Sequence, residues 1–251
     1  MTLKKALLLG LLTSQLGFVN NALAYESRAH DTISPMQFGA GTVAKRYLPK
    51  FHRASGCYPY TAVDKNGKYN GGLQASGGSS DKCRSQDKQQ VYARGKKVNE
   101  TTSAIMYSYY FPKDGGYPVA QIGHRHDWEN VIVFVKNVKD KYNAKTEKIV
   151  GAAYSAHGGV STTTKPNKSS THIYVNYAYH GSVTHSMKEG TEGSFSNMVL
   201  IDWSRLPTLS KATLNNQSFG KAGVPFKDKD NKFNNKIDEA RKALGIAGFK
   251  K

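Results

Sequence analysis

Cysteine, tryptophan and acidic residues are all scarce in this chain. It has two Cys, two Trp, and 18 Asp and Glu against 36 Lys and Arg in 251 residues. Two cysteines, with no histidine between them, cannot complete a structural zinc site. After the first 24 residues no apolar run approaches the roughly 20 residues needed to span a bilayer. H-E-x-x-H and G-x-S-x-G are missing, so the familiar metalloprotease and hydrolase motifs offer no support. The glycine-rich "GGLQASGG" has neither the lysine nor the strand–helix setting of a phosphate-binding loop. No internal repeat and no linker divides the chain.

What is present begins with a secretory pattern. Lys4 and Lys5 precede the apolar "ALLLGLLTSQLGFV", and Ala22-Leu23-Ala24 supplies a small-residue cleavage site. Residues 1–24 are therefore expected to be a signal peptide, residues 25–251 one exported domain, and the protein secreted. In an oxidising compartment Cys57 and Cys83 are expected to pair around the loop between them, which is rich in Gly, Ser and Asn. Closing such a loop stabilises by about 3 kcal/mol.

A formal charge of +18, two units of it in Lys4 and Lys5, favours anionic partners such as a membrane surface. The lysines are scattered through "KNGK", "KDKYNAKTEK" and "KDKDNK", with no arginine-rich stripe. That pattern gives diffuse attraction rather than a nucleic-acid groove, and no nucleic-acid partner is expected.

Strand-length, aromatic and β-branched runs recur: "SAIMYSYYFP", "ENVIVFVKNV", "IVGAAYSAHG", "HIYVNYAYH" and "NMVLIDW". Helical spacing is limited to Val43 and Tyr47, stopped by Pro49, and to Ile237, Ala240, Leu244 and Ala247. Many strands without regular βα alternation predict an all-β-dominated, single-domain sandwich or barrel with short flanking helices.

The chemistry concentrates in "GHRHDWENVIVFV", residues 123–135. Asp127 and Glu129, two apart on a strand, share a face at about 7 Å. They repel unless a proton or cation lies between them. A hard divalent ion, Mg²⁺ or Ca²⁺, suits oxygen ligands of this kind. His124 could add a nitrogen, but strict alternation sends it to the other face, so Gly123 would have to mark a bend. Three rival readings stand beside this one. Arg125 could pair with Asp127 or Glu129 in a surface strip, His124 and His126 could hold zinc for hydrolysis, or the carboxylates could be a glycosidase acid and base.

"GHRHDWE" resembles the signature heptapeptide of the necrosis- and ethylene-inducing peptide-like proteins. "AIMYSYYFPKD", residues 104–114, is similar to the family's other hallmark segment. "AVDKNGKYNGGL", "QQVYARG" and "FGKAGVPFKD" extend the likeness over nearly the whole exported chain, in the two-cysteine type. The resemblance implies a β-sandwich like those of actinoporins and some fungal lectins. It implies a non-enzymatic cytolysin that binds the sugar head group of the plant sphingolipid glycosylinositol phosphorylceramide and damages the plasma membrane. Asp114, His124, Asp127 and Glu129 fall at the family's divalent-cation site. Arg125 and His126 would shape the pocket, His157 lie near the cavity, and Asp202 and Trp203 lie by membrane-facing loops, with Trp128 in the core. The chain departs from the family at Tyr109, where Trp is usual, and in "GGYPVAQIG", two residues longer than the common spacer between Asp114 and His124. A monomer in solution is expected. The alternative is a secreted metal-dependent hydrolase such as a nuclease, permitted by the positive charge and the His/Asp/Glu cluster.

Overall fold

A computed structural model of the chain describes residues 25–115, 123–179, 184–195 and 198–249. The expected signal peptide, residues 1–24, lies outside the described residues. In chain order the strands are β1 (Ser27–Arg28), β2 (Lys50–Arg53), β3 (Tyr69–Asn70), β4 (Gln90–Lys97), β5 (Thr102–Gly115), β6 (Gly123–Lys136), β7 (Lys148–Ala156), β8 (Gly159–Thr163), β9 (Lys168–Ser169), β10 (His172–Tyr179), β11 (His185–Glu189) and β12 (Val199–Asp202). The α-helices are α1 (Thr42–Arg46), α2 (Thr208–Asn216) and α3 (Lys232–Ala243).

A six-stranded sheet runs β12-β4-β5-β6-β7-β8, antiparallel except where β12 joins β4. A smaller sheet runs β11-β10-β2, with β9 pairing β10, while β1 and β3 form a two-stranded sheet apart. At the centre of the large sheet the β5–β6 pair is buried on both faces. This explains why their sequences are apolar runs with little alternation.

Each face has its own aromatic packing. Toward the small sheet, Phe51 of β2 stacks on Tyr109 of β5 at 5.2 Å, and Tyr177 of β10 lies parallel to Phe111 at 3.8 Å. Tyr109 thus fills a fully buried core position. On the other face Tyr92, Tyr110 and Trp128 meet Phe219 and Phe226 from the C-terminal segment. Helix α3 docks through Phe233, Ile237 and Ala240, spaced four and three residues apart along one stripe. The architecture is the expected β-sandwich with short flanking helices, and it is not a closed barrel.

The two predicted helices form, with Val43 in α1 and Tyr47 at its end. Helix α3 stops before Ala247, because Gly245 takes φ 69°. Helix α2 and strands β2 and β11 went unpredicted; all three are short and carry polar residues along their length. Cys57 and Cys83 are joined by a disulfide, fully buried, with their Cα atoms 5.0 Å apart.

Candidate metal and ligand site

The β5–β6 register places Glu129 opposite Tyr109, Asp127 opposite Phe111 and Asp114 opposite His124. Alternation turns Asp127 and Glu129 toward the small sheet, with Tyr109 and Phe111, and sends Trp128 to the other face. Simple alternation would separate His124 from Asp127. The chain reverses its pleat at His126, whose φ is 61°. The carboxylates of Asp114 and Asp127 and the His124 ring then converge, with their ligand atoms within 4.8 Å of one another. The bend expected at Gly123 is therefore produced three residues later. Gly123 has its own necessity, because a Cβ there would lie 2.2 Å from the Asp114 carbonyl oxygen, at φ 142°.

Hydrogen bonds orient every donor. The His124 Nδ1 lies 2.6 Å from the His126 carbonyl, which can only accept, so Nδ1 carries a proton and Nε2 is the nitrogen left to face a ligand. That Nε2 is 3.8 Å from Asp114 Oδ2. Asp114 Oδ1 accepts from the His185 backbone N–H at 2.9 Å and from its ring Nδ1 at 2.6 Å. Tyr177 donates to Asp127 Oδ2 at 3.1 Å, and the Ser155 hydroxyl donates to Glu129. Glu129 stands beside the three converging residues rather than among them.

The electrostatics are costly. Asp127 is pushed well above the usual carboxylate range by burial and then by the Asp114 charge. Glu129 is raised by burial and then by Asp127. Two carboxylates and one imidazole, each oriented by its neighbours, fit a hard divalent cation that keeps part of its water shell. They open into a cleft of about 310 Å³, walled by Ser155 and His157, by Thr184 and His185, and by lysines of the C-terminal segment.

The other expected residues are spread more widely. His157 lines the cleft, with Nδ1 3.3 Å from the Thr184 hydroxyl. Arg125 makes no ion pair with Asp127 or Glu129. It donates to the Gly71 and Gly72 carbonyls at 2.8 and 3.3 Å, tying down the glycine-rich loop. His126 is buried, 2.7 Å from the Tyr110 hydroxyl and edge-on to Phe219, and burial depresses its pKa to about 4. The two histidines of the H-x-H pair therefore point apart, which removes the zinc-pair reading. Asp202 lies on edge strand β12 and accepts from the Gly41 N–H at 2.6 Å. Trp203 packs beneath the Arg94 guanidinium at 4.9 Å and against Phe226. Neither is brought to the cleft. His185 was not anticipated, since only the pairing of β11 with β10 carries it to Asp114 and no local motif marks it.

Residues 41–240 match the family described as necrosis inducing protein (NPP1). The chain is 35% identical over 209 residues to a necrosis-inducing protein of Phytophthora nicotianae, covering 80% of this chain and 85% of that one. Among solved structures it is similar to a non-toxic protein, HaNLP3, with TM-score 0.74 and 33% identity over 84% of this chain and 98% of the other. It is equally similar to NLPPya in complex with mannosamine, with TM-score 0.73 and 32% identity over 85% and 98% of the two chains.

Proposed function

The chain belongs to the necrosis inducing protein family, and from that premise we propose that it is a secreted cytolysin reading a membrane glycan through a cation-dependent cleft. The family is one of necrosis-inducing effectors rather than enzymes, so metal-dependent hydrolysis loses its support. In this reading Asp114, His124 and Asp127, with Glu129 beside them, hold Mg²⁺ or Ca²⁺. The bound ion would offer open coordination positions to sugar hydroxyls. His157 and Thr184 line the same cleft and supply polar contacts. The ligand is the head group of plant glycosylinositol phosphorylceramide, and its capture brings the monomeric protein to the plasma membrane, which it then damages. Export through residues 1–24 belongs to the same proposal.

The observation carrying this reading is the convergence of Asp114, His124 and Asp127 in one cleft, each oriented by a separate hydrogen bond. The mannosamine complex of a structural relative supports a sugar as ligand. Because another relative is described as non-toxic, lysis is tested directly. Vesicles with and without glycosylinositol phosphorylceramide are loaded with dye and treated with protein in Ca²⁺, Mg²⁺ or chelator. Leakage that needs both the sphingolipid and the ion is expected. Equal leakage without either would defeat the proposal.

A further inference from the structure

The cleft is charged asymmetrically. Its acidic side comes from β5 and β6, whereas Lys221, Lys232 and Lys236 line it from the C-terminal segment. These lysines sit on anchored backbone. Lys221 is in the turn closed by the Ala222 N–H to the Phe219 carbonyl, and Phe219 is buried in the aromatic core. Lys232 opens α3 directly before buried Phe233. The Lys236 ammonium is held by Glu239 at 2.8 Å and by the Gly158 carbonyl at 3.4 Å, beside His157. Lys232 is half-buried and, among the described residues, its ammonium has no hydrogen bond or ion pair.

Lys221 and Lys232, beside a Lys236 already paired with Glu239, bring positive charge to one small cleft and weaken the binding of a cation there, because like charges repel more strongly away from bulk water. Apart from the help that Lys236 gives the Glu129 charge, a site serving a cation alone gains nothing from them. Solubility does not call for them either, in a chain whose +18 would still be 18 − 3 = +15 without them. Their placement is accounted for when the ligand carries negative charge of its own.

We propose that Lys221, Lys232 and Lys236 form an anion-binding rim that takes a phosphate or carboxylate substituent of the sugar seated over the acidic floor. The inference rests on the cation–sugar reading above and assigns the residues that meet the acidic part of its ligand. The floor receives hydroxyls through the ion, and the rim receives the anion through charge-assisted hydrogen bonds. The division fixes the direction in which the sugar lies across the cleft.

Soluble sugars test this without the diffuse attraction that any anionic vesicle would feel. Glucose, glucose 6-phosphate, glucuronate and inorganic phosphate are titrated into the Ca²⁺-loaded protein and into a Lys221→Gln/Lys232→Gln variant, whose folding is checked by thermal melting. Glucose 6-phosphate or glucuronate should bind about tenfold or more tighter than glucose. The double variant should lose that preference, keep its glucose affinity, and bind Ca²⁺ as tightly as before or tighter. Equal binding of glucose and both acidic sugars overturns the rim and leaves the cation–sugar reading standing. A preference that survives the double substitution also overturns it, as does inorganic phosphate binding as tightly as glucose 6-phosphate. Failure of every sugar to bind overturns both proposals.

Discussion

His185 holds Asp114 twice through a single oxygen, with its backbone N–H at 2.9 Å and its ring Nδ1 at 2.6 Å from Oδ1. Asp114 Oδ2 is thereby left facing His124. The ring is almost fully buried, between Tyr177 and Tyr179 at 4.8 and 4.0 Å. A carboxylate at the end of the β5–β6 pair is thus fixed from the opposite sheet.

His185 is accordingly a positioning residue. Replacing it by Ala should weaken Ca²⁺ or Mg²⁺ binding by about 10–100-fold, the usual cost of losing a partner that orients a ligand. His185→Asn keeps an N–H near the Nδ1 position and should recover part of the affinity. Calorimetric titration compares the three proteins, with melting curves to separate packing loss from ligand loss. Equal ion affinity in the Ala and Asn variants, both reduced, would make the ring a packing element only.

Binding of the ion should release protons. Burial and mutual repulsion raise Asp127 and Glu129 above the ordinary carboxylate range, so the metal-free protein retains protons there after free carboxylates have lost theirs. A raised carboxylate costs stability as pH climbs from its unfolded-state pKa to its folded pKa, and that cost is absent only below the unfolded-state value. A cation removes the cost by displacing the proton, so ion affinity should fall as pH falls through the same range. Ca²⁺ titrations in two buffers of different ionisation enthalpy should give different apparent heats. Identical heats would contradict the coupling.

Much of this site was legible because strands carry a period of two. Asp127 and Glu129 were expected on one face beside an apolar run, and they are, since the run that buries β6 also fixes which way its side chains turn. The position of His124 was not legible to the same degree. Reversing the pleat needs a positive φ, and glycine is the residue that signals one, whereas here the reversal falls on His126. What holds His126 in that conformation is tertiary: the Tyr110 hydroxyl and Phe219, a residue far along the chain. His185 and the lysine wall were invisible for the same reason, as each reaches the cleft only through pairing or docking of a distant element. Asp202 shows the converse, a motif position whose local role is to receive the Gly41 N–H.

The disulfide carries a separate expectation. Cys57 and Cys83 are buried and close the segment whose glycine loop is gripped by Arg125. Cys57→Ser should lower unfolding stability by about 2–5 kcal/mol. Denaturant melts of the variant and the oxidised protein measure it, and an unchanged midpoint would remove the staple.

Asp127→Asn separates binding from folding most cleanly. Asparagine keeps the shape and can still accept from Tyr177, so the packing against the small sheet survives. It removes a buried charge whose field also raises Glu129, so Glu129 is relieved as well. The metal-free variant should therefore be as stable as the parent or more so, by about 1.4 kcal/mol for each unit of relieved pKa shift. A neutral amide is a poorer ligand for a hard cation, so ion affinity should fall steeply and sphingolipid-dependent leakage should disappear. Glu129→Ala is expected to be milder toward the ion, because Glu129 stands outside the converging trio and is engaged by Ser155. A purely structural cluster predicts the reverse for Asp127→Asn, with lost stability and intact leakage. Chemical melts and leakage assays on the same preparation decide between them, and full leakage from the folded Asp127→Asn protein would sink the cation-site reading.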